Sequence, residues 1–182
     1  MNLESQNKVF LILTLLLLPV AAHADCEYFR QLTHGPWQAV IHAVGEDSCS
    51  VQSITLAIGT RSVKQAELTI RGSDPVTDVW LTDLDADKMP ELILVTTNAG
   101  SGSYGHLHLF LPEQNTLQAV TLPQLNDSLL REYRGHDNFF LRDSSIVREF
   151  PIYRESDPNC CPSGGLRRLF YRFDGKDLSL VP

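Results

Sequence analysis

Beyond residue 36 the chain is a succession of short runs in which apolar and polar residues alternate or β-branched residues cluster. Eleven such runs stand out: WQAVIHAV, SVQSITLAI, KQAELTIR, VTDVWLTDL, ELILVTT, HLHLFL, TLQAVTL, DNFFLRD, SIVREFPIY, LRRLFYRFD and DLSLV. A period of two is the signature of a strand with one buried face. Turn-forming residues punctuate the runs at Gly59, Gly72-Ser73-Asp74-Pro75, Pro112-Glu113-Gln114-Asn115 and Asp174-Gly175. Short strands at such close spacing predict an all-β domain, an antiparallel β-sandwich or a barrel-like fold. LPQLNDSLLREYRG predicts one short helix, with Asn126 or Asp127 as its cap and Gly135 beyond its end. CEYFRQL predicts a second helical turn.

The first residues do not belong to this pattern. VFLILTLLLLPVAAHA is an apolar run preceded by Lys8 and closed by Ala22-His23-Ala24, a small-x-small cleavage site. This is the form of a secretory signal peptide. The apolar core, Val9 to Leu18, is too short for a bilayer span, which takes about 20 residues. The predicted organisation is a signal peptide over 1–24 and a single exported β domain over 25–182. Cys26 lies next to the cut, but Asp25 rather than a small residue precedes it. The expectation is therefore a periplasmic protein without a lipid or membrane anchor.

Export changes how the four cysteines are read. Cys26, Cys49, Cys160 and Cys161 lie in a chain bound for a compartment where disulfides persist. Four cysteines allow three pairings. Joining the neighbours Cys160 and Cys161 closes a strained ring, so each is expected to reach a separate partner, Cys26 or Cys49. The net charge of −7 speaks against nucleic acid and anionic lipid, and suits a basic partner or plain solubility.

Three constellations carry candidate chemistry. In DLDADKMPELILV, Asp83, Asp85 and Asp87 alternate and Glu91 follows, as in a calcium loop. Such a loop wants glycine at its sixth position, where this chain has Lys88. The competing reading is an acidic turn without an ion, and the expectation is no cofactor and weak or absent calcium binding. His106 and His108 fall on one strand face; with His136 they compose a conceivable zinc set, or else they line a groove rim. No G-x-S-x-G elbow, phosphate loop, dinucleotide fingerprint or H-E-x-x-H is present. Asp143 and Glu149 have no spacing that selects them as a glycosidase pair. Nothing points to an enzyme.

The third constellation is the linker in NAGSGSYGHLH, Asn98 to Gly105, between two strands. Its glycines, Gly100, Gly102 and Gly105, let the backbone bend. Its hydroxyls come from Ser101, Ser103 and Tyr104, the residue types that recognition loops favour. The SGSY segment, Ser101-Gly102-Ser103-Tyr104, resembles the S-G-x-Y motif of bacterial periplasmic lysozyme inhibitors. The wider run DLDADKMPELILVTTNAGSGSYGHLHLF is similar to the inhibitors of invertebrate-type (I-type) lysozyme. NCCPSGG is not a feature of that resemblance. The resemblance implies a non-catalytic, all-β exported domain whose Ser101–Tyr104 loop plugs the substrate cleft of a lysozyme, with His106 and His108 at the rim. It implies an I-type lysozyme as partner. Oligomeric state stays open, a homodimer included. The rival reading is a non-catalytic envelope module, calcium-stabilised, that binds glycan or another envelope protein.

Overall fold

The computed structural model describes residues 26–61, 64–113 and 115–181. The expected signal peptide lies outside them, as does Asp25. Among the described residues, twelve strands and one helix follow in chain order: β1 (Tyr28–His34), β2 (Trp37–Ser48), β3 (Val51–Thr60), β4 (Lys64–Ser73), β5 (Val76–Thr82), β6 (Glu91–Thr97), β7 (Gly105–Glu113), β8 (Thr116–Thr121), α1 (Asp127–Glu132), β9 (Asn138–Arg142), β10 (Ser145–Pro151), β11 (Leu166–Phe173) and β12 (Leu178–Val181). They form three four-stranded antiparallel sheets, ordered β1-β2-β3-β4, β5-β6-β7-β8 and β12-β11-β10-β9. No sheet closes into a barrel. Among the described residues no helix is long and apolar enough to cross a membrane.

The sheets stack as three layers around two cores. Ala39, Ile41 and Ala43 of β2 and Ile54, Leu56 and Ile58 of β3 pack against Leu92, Leu94 and Phe110 of the middle sheet. On its other face that sheet offers Ile93, Val95, Leu107 and Leu109 to Ile146, Phe150, Leu169, Tyr171 and Phe173 of the third. Successive side chains of a strand point to opposite faces, so β6 feeds both cores at once. This is why ELILVT is buried without interruption while β2 and β3 alternate.

All eleven expected strands are present. CEYFRQL departs from expectation: it supplies β1 instead of a helical turn. Its pairing with β2 runs from Tyr28↔Ala43 to His34↔Trp37. Tyr28 and Leu32 fall on one face of the strand and pack against the first core. The one helix starts where predicted, with the Asn126 side chain accepting from the Ser128 and Leu129 amides at 3.1 Å each.

The disulfide pairing also departs from expectation. Cys26 bonds Cys49, with Cα atoms 5.1 Å apart, and Cys160 bonds its neighbour Cys161. The register explains the first bond. Antiparallel pairing of β1 with β2 carries Cys26 to Gly45, whose N–H donates to the Cys26 carbonyl at 3.1 Å, beside the β2–β3 turn that holds Cys49. The segment around Cys160 has other partners. The Tyr153 hydroxyl donates to the Asn159 carbonyl at 2.9 Å, and the Cys161 N–H folds back on the Pro158 carbonyl at 3.0 Å. That turn replaces the extended course that would have sent the two sulfurs apart.

Candidate functional site

The loop between β6 and β7 carries the SGSY segment. Thr97 still pairs with Gly105, so the free linker is Asn98 to Tyr104. The loop is folded on itself. The Asn98 N–H donates to the Tyr104 carbonyl at 2.9 Å, the Gly100 N–H to Asn98 Oδ1 at 2.7 Å, and the Ser103 N–H to the Gly100 carbonyl at 2.9 Å. Such internal bonds make a compact turn of what the sequence leaves open as slack chain. Ser101 is exposed, and Tyr104 is 41 % exposed.

The glycines serve proximity more than bending. Ser103, not a glycine, takes the loop's left-handed conformation, at φ 43°. A Cβ on Gly102 would lie 2.4 Å from the Tyr104 ring, and one on Gly105 would lie 2.7 Å from the Asp137 Cβ. Gly102 thus lets the ring lie over the loop backbone, and Gly105 lets the base of the loop press on the segment before β9.

That segment grips the loop from outside. The His136 N–H donates to the Gly102 carbonyl at 2.7 Å, and the Gly105 N–H donates to Asp137 Oδ2 at 2.9 Å. Tyr133 meets Tyr104 edge to face, with ring centroids 5.7 Å apart. At the other foot, Asn98 Nδ2 donates to Asp74 Oδ1 at 3.1 Å. The clamping residues Asp74, Tyr133, His136 and Asp137 carry no motif in the sequence, because each acts across the fold.

Asp137 Oδ1 accepts from Arg148 Nε at 2.7 Å. Burial alone would push the Arg148 guanidinium down, but the hydrogen bond and charge of Asp137 outweigh it and hold it above its ordinary value. Burial, reinforced by the Asp137 carboxylate, raises the Tyr133 hydroxyl well above the usual phenol range. Tyr133 therefore stays a neutral donor.

Beside the loop a groove of about 540 Å³ is lined by Tyr104, His106, His108, Leu122, Leu125 and Tyr133, among others. His106 stands at its rim, 3.8 Å from Asp74. His108 is half-buried, and burial, with His106 nearby, lowers its imidazole below the ordinary value. His136 meets the loop through its backbone N–H, and its side chain is exposed. Among the described residues the histidines do not gather with a third ligand; the group that does is Asp83, Asp85 and Glu91, whose carboxylate oxygens lie within 4.8 Å of one another.

This acidic turn keeps the outline of a calcium loop with Asp87 left out of the cluster. Asp87 Oδ1 accepts from the Met89 N–H at 2.6 Å, and Asp83 Oδ2 from the Lys88 N–H at 3.0 Å. Lys88 takes the left-handed conformation a glycine would supply, at φ 75°. Glu91 is 2 % exposed and accepts from the Leu84 N–H at 2.7 Å. Burial, with smaller contributions from Asp85 and Asp87, pushes its carboxyl up to about 7. Asp83 Oδ1 is buried with no hydrogen-bond partner. Elsewhere Glu149 is occupied by Arg168.

Comparison with known families bears on the loop directly. The model of the periplasmic lysozyme inhibitors of I-type lysozyme (PliI) matches residues 38–128, a span that takes in the acidic turn, β6, the loop and β7. The chain belongs to the PliI family. The PliI match ends before Tyr133, Asp137 and the third sheet, so part of the loop's support lies beyond it. Comparisons with curated proteins and with solved structures returned no match.

Proposed function

We propose that this chain is a non-catalytic periplasmic inhibitor that closes the substrate cleft of an I-type lysozyme with its Ser101–Tyr104 loop. The observation that carries the reading is the loop's combination of exposure and restraint. Tyr104 leaves 41 % of its surface open while the backbone under it is tied at Gly102 and Gly105. A partly open aromatic on a fixed loop is what a narrow cleft can accept, since little order remains to be imposed on binding.

The chemistry of the target matches the loop's donors. Lysozymes cleave with a pair of acidic side chains, one protonated and one ionised. The hydroxyls of Ser101 and Tyr104 donate to carboxylates. A hydrogen bond to a charged partner is worth about 1.5–3 kcal/mol. The Tyr104 ring adds apolar burial. His106, exposed at the groove rim, meets the cleft's edge. The net charge of −7 accelerates encounter with a basic enzyme.

The test is a turbidity assay of cell-wall lysis with purified I-type, chicken-type and goose-type lysozymes. Selective protection against the I-type enzyme is expected. An envelope module that binds glycan or another protein leaves all three enzymes active. Export by the proposed signal peptide is checked by mass spectrometry of the periplasmic fraction, which should find Asp25 as the first residue and no lipid on Cys26.

A further inference from the structure

Asp137 stands immediately before β9, and its side chain has no exposed surface. Its carboxylate collects three donors. Two are on Oδ2, the Gly105 N–H at 2.9 Å and the Tyr133 hydroxyl at 2.5 Å; the third is Arg148 Nε on Oδ1 at 2.7 Å. Gly105 is the residue on which β7 begins, directly after Tyr104. The preceding residue, His136, holds the Gly102 carbonyl. The dipeptide His136-Asp137 therefore grips the recognition loop at two points three residues apart, with Ser103 and Tyr104 between them.

Arg148 comes from β10 and is 8 % exposed. Its guanidinium lies 4.8 Å from the Tyr133 ring centroid, 5.6 Å from Phe150 and 5.7 Å from Phe139. Aromatic faces accommodate the cation, but a buried guanidinium also needs an anionic acceptor. Asp137 supplies it, 2.7 Å away. The Gly105 N–H is thus held by a charge-assisted bond, stronger than one to a neutral acceptor.

We infer that Asp137 is the positioning residue of the recognition loop, and that Arg148, its counter-charge, makes the third sheet part of the recognition apparatus although that sheet lies beyond the matched residues 38–128. The inference rests on the loop reading above. It assigns to the C-terminal strands the task of fixing the Gly102–Gly105 segment before any target arrives, which lowers the ordering cost of binding.

Amide hydrogen exchange on the mature full chain, read alongside binding to I-type lysozyme, tests this. In the wild type, Gly105 and His136 should be as protected as the strand amides of β10. Exchange of those two amides as fast as that of exposed Ala99 would overturn the inference without any mutation. Two variants separate positioning from general stability. Arg148→Met removes only the counter-charge; the Asp137 carboxylate stays beside Gly105 and Tyr133, and Gly105 should exchange faster than in the wild type. Asp137→Ala combined with Arg148→Met removes the carboxylate while leaving no unpaired charge. Relative to Arg148→Met, the double variant should exchange Gly105 at least about tenfold faster and release lysozyme at least about tenfold faster, the loss expected from one charge-assisted bond on a pre-organised element. The β6 amides should behave alike in both. Equal loop exchange or equal release rates in the two variants would defeat the inference. If the wild type inhibits no lysozyme, the functional proposal fails separately, and the exchange comparison alone decides whether Asp137 holds the loop.

Discussion

Gly135 lies so close to Gly102 that a Cβ on residue 135 would sit 2.1 Å from the Gly102 carbonyl oxygen. Gly135 also has φ 89°, a conformation that costs other residues about 1–2 kcal/mol. Gly135→Ala should therefore push the loop off its support and break the bond from His136. The expected outcome is a lower melting temperature together with weaker lysozyme inhibition, measured by thermal unfolding and the lysis assay. Unchanged inhibition would show that the loop does not depend on this contact.

Tyr104 has two roles that substitutions can separate. Tyr104→Ala removes a ring that is partly exposed and partly packed on Tyr133. The lost edge-to-face pair should cost about 0.5–1.5 kcal/mol of stability. Truncation of a central aromatic should cost binding 2 kcal/mol or more, about thirtyfold in affinity. Tyr104→Phe keeps the ring contact and loses only the hydroxyl, so its stability should match wild type while inhibition falls. Ser101→Ala should weaken binding by about 1–2 kcal/mol, the loss of one donor. A stable Tyr104→Ala protein that blocks lysis at wild-type concentrations would end the plug mechanism.

Glu91 predicts a pH dependence of stability. Its carboxyl is pushed up to about 7 in the folded chain, against about 4.3 unfolded. The folded state thus holds the proton more tightly, and stability is lost as pH rises from the lower value through the higher. The full change is on the order of 3 kcal/mol. In the presence of a chelator the melting temperature should fall between about pH 5 and about pH 8 (roughly one unit above each midpoint), and Glu91→Gln should flatten the fall. Adding calcium at the upper pH is expected to restore little; a rise of several degrees would establish a cation site at Asp83, Asp85 and Glu91.

The two disulfides should differ sharply in worth. Cys26–Cys49 closes a loop with a sequence separation of 23, and replacing both cysteines by serine should cost about 3 kcal/mol by the chain-entropy relation. Cys160–Cys161 joins adjacent residues and restricts the unfolded chain very little. Its double serine variant should unfold close to wild type. Non-reducing peptide mapping checks the connectivity itself.

The strands were legible because each alternating run reports its own burial. The three-layer stack was not, since ELILVTT announces a strand buried on both sides without saying what covers it. β1 escaped notice because Tyr28 and Leu32 lie four residues apart, a spacing that suits a helical turn as well as a strand face. The cysteine pairing departs from expectation because Cys160 and Cys161 sit in a turn closed on Pro158, where the ring between neighbours forms after all. The loop's motif could be read from adjacent residues. Its clamp could not: Gly105 and Asp137 are 32 residues apart, and only the packing of the third sheet on the middle one brings them together.

Strand β6 presents no solvent face from Glu91 to Thr96, yet it ends directly in the exposed tip at Asn98. A change at Leu92, Ile93, Leu94 or Val95 disturbs one core or the other, while Ala99 and Ser101 are exposed. Freedom to vary is thus concentrated in a handful of tip positions on an otherwise immovable hairpin. A lineage pursued by a changing enzyme can redraw those few side chains generation after generation, and the rest of the molecule need not follow.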